Sequence, residues 1–158
     1  MMPIKVLAFA AISDRIGLVL IAEGRLKDWR TSKRATRSSI EAAGFAQKMI
    51  NFYQPDVVVT EKVSGHHKSK ATRKLITAMA MIASENYVLD VAVRHRHPYP
   101  SKYEEAEALT KLYPPLLPWL PVKRRFFDHE PRAMLLFEAL SLADRVASGP
   151  ADRLAAEM

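Results

Sequence analysis

The chain has 158 residues, 49% of them hydrophobic, a formal net charge of +7 and no cysteine. That length suits one compact domain with a sizeable core, and the apolar content excludes a disordered tail protein. The missing cysteine excludes a disulfide scaffold, a cysteine zinc site, an iron–sulfur cluster and a cysteine nucleophile, while 24 Lys+Arg against 17 Asp+Glu favour a polyanionic partner such as nucleic acid. No apolar run approaches the ~20 residues of a membrane span, so a cytoplasmic protein without membrane attachment is expected. The run Val6 to Ile12 has the length of a signal-peptide core. Only Lys5 precedes it and a second apolar run follows at once, so a hairpin explains both better.

In chain order, Lys5–Ile12 predicts a buried strand, Ser13-Asp14-Arg15 a turn, and Ile16–Ala22 a second strand rich in branched side chains. After Glu23-Gly24, Arg25–Trp29 reads as a more polar edge strand, and Arg30–Arg37 as a basic loop. Ser38-x-x-Glu41 is a capping box, and Ala42, Phe45, Ala46, Met49 and Tyr53 follow at helical spacing until Pro55. Asp56–Thr60 is almost wholly apolar, the pattern of a strand buried on both faces in a parallel sheet, and it ends in Glu61.

Val63–Ala71 predicts a basic loop, and Leu75, Met79 and Ile82 mark the next helix. Val88–Val93 is another buried strand, followed by the basic loop Arg94–Pro100. Ser101-x-x-Glu104 is a second capping box, opening a helix to about Leu112. Tyr113–Pro121 is proline-rich yet too apolar to stay solvated, so it predicts a packed connection. Pro131 suits the first position of a final helix to about Ala147, stopped by Gly149-Pro150. The order β-β-β-α-β-α-β-α-α predicts a single α/β domain over residues 1–150 and a frayed tail over 151–158. Its sheet is mixed, a three-strand antiparallel meander plus parallel strands, with helices on both faces.

Glu61 ends a dry strand at the carboxyl edge of the parallel part of the sheet, where open α/β sheets place ligands. Glu138 lies in a last helix that is apolar almost all round, and a buried carboxylate needs a cation, a metal or a proton. Asp128 and Glu130 precede that helix, where capping and dipole compensation are the ordinary roles. His95-x-His97 has the spacing of a metal pair, but no third ligand is evident and its neighbours are basic, so phosphate contact is the better reading. The bases cluster in loops. Lys62, His66, His67, Lys68, Lys70, Arg73 and Lys74 follow Glu61 directly. Arg94 and Arg96 form another group, Arg34 and Arg37 a third, and Lys123, Arg124 and Arg125 a fourth. Ordinary solvated surface would explain any one group. Their placement beside one candidate edge predicts nucleic-acid contact. No glycine-rich phosphate loop, nucleophile elbow or zinc-protease helix motif is present.

The chain resembles the RuvC-like branch of the ribonuclease-H-like superfamily, the branch of the Holliday-junction resolvases. Three patches carry the resemblance: the opening hairpin Lys5–Leu20, the segment Pro55-Asp56-Val57-Val58-Val59-Thr60-Glu61, and Phe137-Glu138-Ala139-Leu140-Ser141-Leu142-Ala143. The resemblance implies a ribonuclease-H-like fold and a metal-dependent endonuclease that hydrolyses branched DNA as a homodimer. It implies Mg²⁺ or Mn²⁺ as cofactor, held by oxygen ligands, with Glu61 and Glu138 as the carried-over catalytic carboxylates. Two departures stand against cleavage. Ala10 occupies the place of the first catalytic aspartate, and Leu135 that of a helix carboxylate one turn before Glu138. Asp14, Asp128 and Glu130 are the candidate substitute metal ligands. The sequence therefore predicts a RuvC-like metal-dependent endonuclease acting on branched DNA, active only if another ligand makes up for Ala10, with a nucleic-acid-binding pseudo-nuclease without catalysis as the alternative. A small-molecule-binding or structural relative is the remaining alternative, with its charge incidental.

Overall fold

The computed structural model describes residues 4–63, 68–94, 99, 101–121 and 133–147. Strands β1 (Lys5–Ile12), β2 (Arg15–Ala22) and β3 (Arg25–Ser32) form an antiparallel meander. The turn between β2 and β3 places Glu23 and Gly24 at φ 57° and 71°. Two successive left-handed residues are what a two-residue turn needs to match the twist of its strands. β3 continues three residues beyond the expected Trp29, to Ser32. Polar side chains suit a sheet edge with one wet face, and what remains of the expected basic loop, Lys33 to Arg37, is built around a 3-10 turn at Arg34–Thr36.

Helix α1 (Ser39–Tyr53) opens as its capping box predicts, with the Glu41 amide donating to Ser38 Oγ at 3.1 Å. Gln54 ends it in a left-handed conformation, φ 49°, just before Pro55. β4 (Val57–Glu61) then runs parallel to β1. Asp56 lies outside the strand, where its carboxylate accepts from the Lys5 amide at 2.7 Å. Helix α2 (Lys70–Glu85), capped by Ser69, leads to β5 (Leu89–Val93), parallel to β4. Helix α3 (Lys102–Leu112) opens on the second capping box, with the Glu104 amide donating to Ser101 Oγ at 3.3 Å. A 3-10 segment (Pro114–Trp119) comes next and buries Leu116 beneath it, as its apolar content requires. Helix α4 (Met134–Ala147) completes the described chain. The expected helix start at Pro131, the stop at Gly149-Pro150 and the tail over 151–158 lie outside the described residues.

The sheet order is β3-β2-β1-β4-β5, a mixed sheet with β1 at its centre. Alternation along the strands builds two cores. Val6, Ala8, Ala10, Val57 and Val59 face α3 and α4. Leu7, Phe9, Ala11 and Val58 face α1 and α2. Gly17 pairs with Ala10 across the β1–β2 hairpin. A Cβ on Gly17 would stand 3.0 Å from Leu135 Cγ, so the missing side chain is what lets α4 sit down on the sheet here.

Candidate functional site

The carboxyl ends of β1, β4 and β5 lie together, as parallel pairing demands. Ala8 pairs with Val59, so the same register carries Ala10 alongside Glu61, two residues on in each strand. Both face α4. The sequence expectation that Glu61 lies near Ala10 on adjacent central strands therefore holds.

Glu138 comes to the same place from α4, because the helix crosses this end of the sheet with Leu135 over Gly17. The Lys68 ammonium sits among the two carboxylates and the strand end. It donates to the Ala11 carbonyl at 2.8 Å, and lies 3.7 Å from Glu61 Oε2 and 3.5 Å from Glu138 Oε2. Lys102, the first residue of α3, approaches the other oxygen of Glu138 at 3.8 Å. Side-chain exposure is 7% for Glu61, 16% for Glu138 and 16% for Lys68, so the cluster is largely withdrawn from water. At such burial, opposite charges in contact screen one another more than solvent does.

The sequence groups Lys68 with the solvent-facing bases, whereas its head group is turned inward. Sequence reasoning misses Lys102 altogether, although its place directly after the Ser101 cap puts it at the start of a helix, beside the sheet edge. Asp14 is exposed in the β1–β2 turn. Among the described residues no three His, Cys, Asp or Glu side chains converge on a common metal position, so Asp14 does not join Glu61 and Glu138 there. Asp128, Glu130, His66, His67, Arg96, His95 and His97 lie outside the described residues, as do Lys123, Arg124 and Arg125.

Among the described residues the donor set is a poor fit to the carboxylate-rich divalent-ion centre the resemblance implies; the candidate ligands Asp128 and Glu130 lie outside them. Mg²⁺ takes six oxygens at about 2.0–2.1 Å, several of them waters, and is held by one or two carboxylates together with substrate phosphates. Ala10 and Leu135 are buried apolar residues and offer no side-chain oxygen. The two carboxylates that remain each touch an ammonium.

The outward-facing bases form a second, separate surface on the same edge. Lys70 opens α2, and Lys74 stands exposed one turn later with Arg73 half-buried beside it. The first turn of α2 holds no acidic residue, so these charges add to the positive end of the helix dipole instead of offsetting it. Lys70, Arg73 and Lys74 line an open groove of 470 Å³ against Ser39 at the start of α1. Arg94 is exposed after β5 and Lys62 half-buried after β4. Arg34 and Arg37 are exposed beyond β3, where Arg34 lies 3.9 Å from Glu41.

One carboxylate nearby has no such partner. Asp90 on β5 is half-buried behind α2, and its Oδ1 has no hydrogen-bond partner among the described residues. Loss of hydration pushes its carboxyl above the usual carboxylate range.

Among solved structures the chain is similar to Thermus thermophilus RuvC, at 16% identity and a TM-score of 0.62 over 92% of this chain and 96% of that one. The chain has the RuvC-like, ribonuclease-H-like fold. It is also similar to T. thermophilus RuvC in complex with a Holliday junction substrate, at 15% identity and a TM-score of 0.61 over 89% of this chain and 90% of that one. The yeast mitochondrial Holliday junction resolvase Ydc2 matches at 7% identity and a TM-score of 0.51, over 93% of this chain and 85% of that one. No family model matches the sequence, and no curated protein matches it. No helix among the described residues is long and apolar enough to cross a membrane.

Proposed function

We propose that this protein binds branched DNA along the carboxyl edge of its sheet and does not cut it. The observation that carries the reading is the division of labour at that edge. The bases of the α2 start and of Arg94 face outward, while the inner site presents the buried hydrocarbon of Ala10 and Leu135, where the resemblance implies carboxylates. Exposed cations in a groove suit phosphate, which supplies most of the affinity in protein–DNA complexes and makes it salt-dependent. The branched class comes from the fold: a protein of the same fold has been solved with a Holliday junction substrate. A homodimer belongs to the same proposal, since a four-way junction presents two equivalent halves to a two-fold protein. Light scattering of the free protein and its junction complex tests that stoichiometry.

Hydrolysis with Mg²⁺ or Mn²⁺ is the second reading, and the convergence of Glu61 and Glu138 favours it. Such a reaction needs acidic ligands to hold the ions that activate water and stabilise the leaving oxygen. The experiment that separates the two is a titration of labelled four-way junction and matched duplex at several salt concentrations, with each sample then incubated in Mg²⁺, Mn²⁺ or EDTA. Binding that weakens steeply with salt, prefers the junction and leaves it intact supports the first reading. Metal-dependent nicks support the second. Binding with no salt dependence removes both.

A further inference from the structure

We propose that Lys68 is the permanent cation of the inner site, its ammonium taking the place between Glu61 and Glu138 that a divalent ion would otherwise bridge. The inference deepens the non-cleaving reading and rests on it. It adds which group neutralises the two carboxylates and why a divalent ion has no place beside them.

An ammonium has three N–H donors and no acceptor, and Lys68 has three oxygens around it: the Ala11 carbonyl, Glu61 Oε2 and Glu138 Oε2. The ammonium donates closely to the carbonyl at 2.8 Å and at longer range to Glu138 Oε2 at 3.5 Å, while Glu61 Oε2 at 3.7 Å is a charge contact. Such a shell places one oxygen near each N–H of the ammonium. Mg²⁺ would need the same carboxylates drawn in to about 2.0–2.1 Å, with waters in the place Lys68 holds.

Among the described residues, both carboxylates also have a cation beside them without a metal. Glu61 and Glu138 bring two negative charges, and Lys68 and Lys102 bring two positive ones within contact distance. A divalent ion entering between the two carboxylates would have to displace Lys68 from a largely buried position. The same replacement ties three elements together. Lys68 stands just before the Ser69 cap of α2, so its grip on the end of β1, on β4 and on α4 fixes where α2 begins. That start is where Lys70, Arg73 and Lys74 present their charge.

Lys68→Met keeps the length and apolar stem of the side chain and removes the charge. Two largely buried carboxylates then face each other, and each raises the cost of ionising the other. A divalent ion is the readiest replacement. The test is thermal unfolding and electron paramagnetic resonance of free Mn²⁺, on the whole protein without DNA. For the unaltered protein, a Tm equal in EDTA and in millimolar Mn²⁺, with the free-Mn²⁺ signal undiminished, is expected. For Lys68→Met, a lower Tm in EDTA that recovers by several degrees with Mn²⁺ is expected, and Glu61→Gln in that background should abolish the recovery.

Saturable Mn²⁺ binding by the unaltered protein below millimolar concentration overturns the proposal, because the ion and Lys68 would then share the site. A folded Lys68→Met protein indifferent to Mn²⁺ overturns it too. If Lys68→Met does not fold, the titration of the unaltered protein still decides. Because no DNA is present, a failure of DNA binding leaves this result untouched. Metal binding without cleavage would sink Lys68 as the resident cation while leaving the non-cleaving reading standing.

Discussion

Lys68 and Lys70 are two residues apart, and they point their charge in opposite directions. Lys68 is folded into contact with Glu61, Glu138 and the Ala11 carbonyl, largely out of water. Lys70 begins α2 with no acidic neighbour in its helical turn and faces solvent. A cation that neutralises buried carboxylates belongs to the fold, because removing it leaves charge stranded at low hydration. A cation that adds to a helix dipole's positive end slightly disfavours the fold, and that cost is relieved when an anion arrives. On the proposed reading, one short basic run serves stability with its first lysine and binding with its next.

The largest expected effect on stability breaks the inward half of that comparison. Lys68→Met should lower the unfolding free energy by about 2–4 kcal/mol, somewhat under the range for a fully buried pair because some solvent reaches the cluster. Urea unfolding at neutral pH measures it, and a loss within about 0.5 kcal/mol, the scale of an ordinary surface change, would show that Lys68 is not structural.

Next in size is the contact that holds the apolar replacement in place. Gly17→Ala puts a Cβ 3.0 Å from Leu135 Cγ, a part of the side chain that moves only if α4 moves. A cost of about 1–3 kcal/mol is expected, as for other overpacked cores. In a Leu135→Ala background the same change should cost less, and a double-mutant cycle in urea reads the difference.

Asp90 is the carboxylate without an ammonium and sharpens the comparison from the acidic side. Its folded-state affinity for a proton is raised, so its contribution to folding is full below the ordinary pKa of about 3.9 and is lost as pH rises through the raised folded value. Asp90→Asn should therefore raise Tm at neutral pH and leave it nearly unchanged near pH 3. A gain that persists at low pH would assign the effect to something other than charge.

The smallest effect on stability belongs to the outward bases. Lys70→Gln, Lys74→Gln and Arg94→Gln together should shift unfolding by no more than about 0.5 kcal/mol per site. The same variant should flatten the salt dependence of junction binding by about one logarithmic unit of slope for each phosphate left without its cation. An unchanged slope would move the DNA surface elsewhere.

Much of this arrangement was legible in the sequence, and the parts that were not share a physical cause. β1 and both capping boxes were readable because apolar runs and Ser-x-x-Glu patterns act locally. The placing of Ala10 and Glu61 at the same end of adjacent strands followed from setting the first strand at the centre of the sheet. The far end of β3 was not readable, since a polar edge strand and a basic loop have the same composition. Nor was the turn of Lys68 toward the carboxylates, because charge patterning counts lysines without saying which of them meets an acid from another element. A signal for the close approach of α4 was present in Gly17, an isolated glycine within an apolar strand, where a neighbouring backbone or side chain commonly comes near.

The most direct test of the account takes one labelled four-way junction through binding and incubation in the same tubes. The unaltered protein should bind the junction in preference to duplex of equal length, with equal affinity in EDTA and in Mg²⁺ at matched ionic strength, and should return every strand intact. Mg²⁺-dependent nicks near the branch, abolished by Glu61→Gln, would contradict it and assign the inner carboxylates to catalysis.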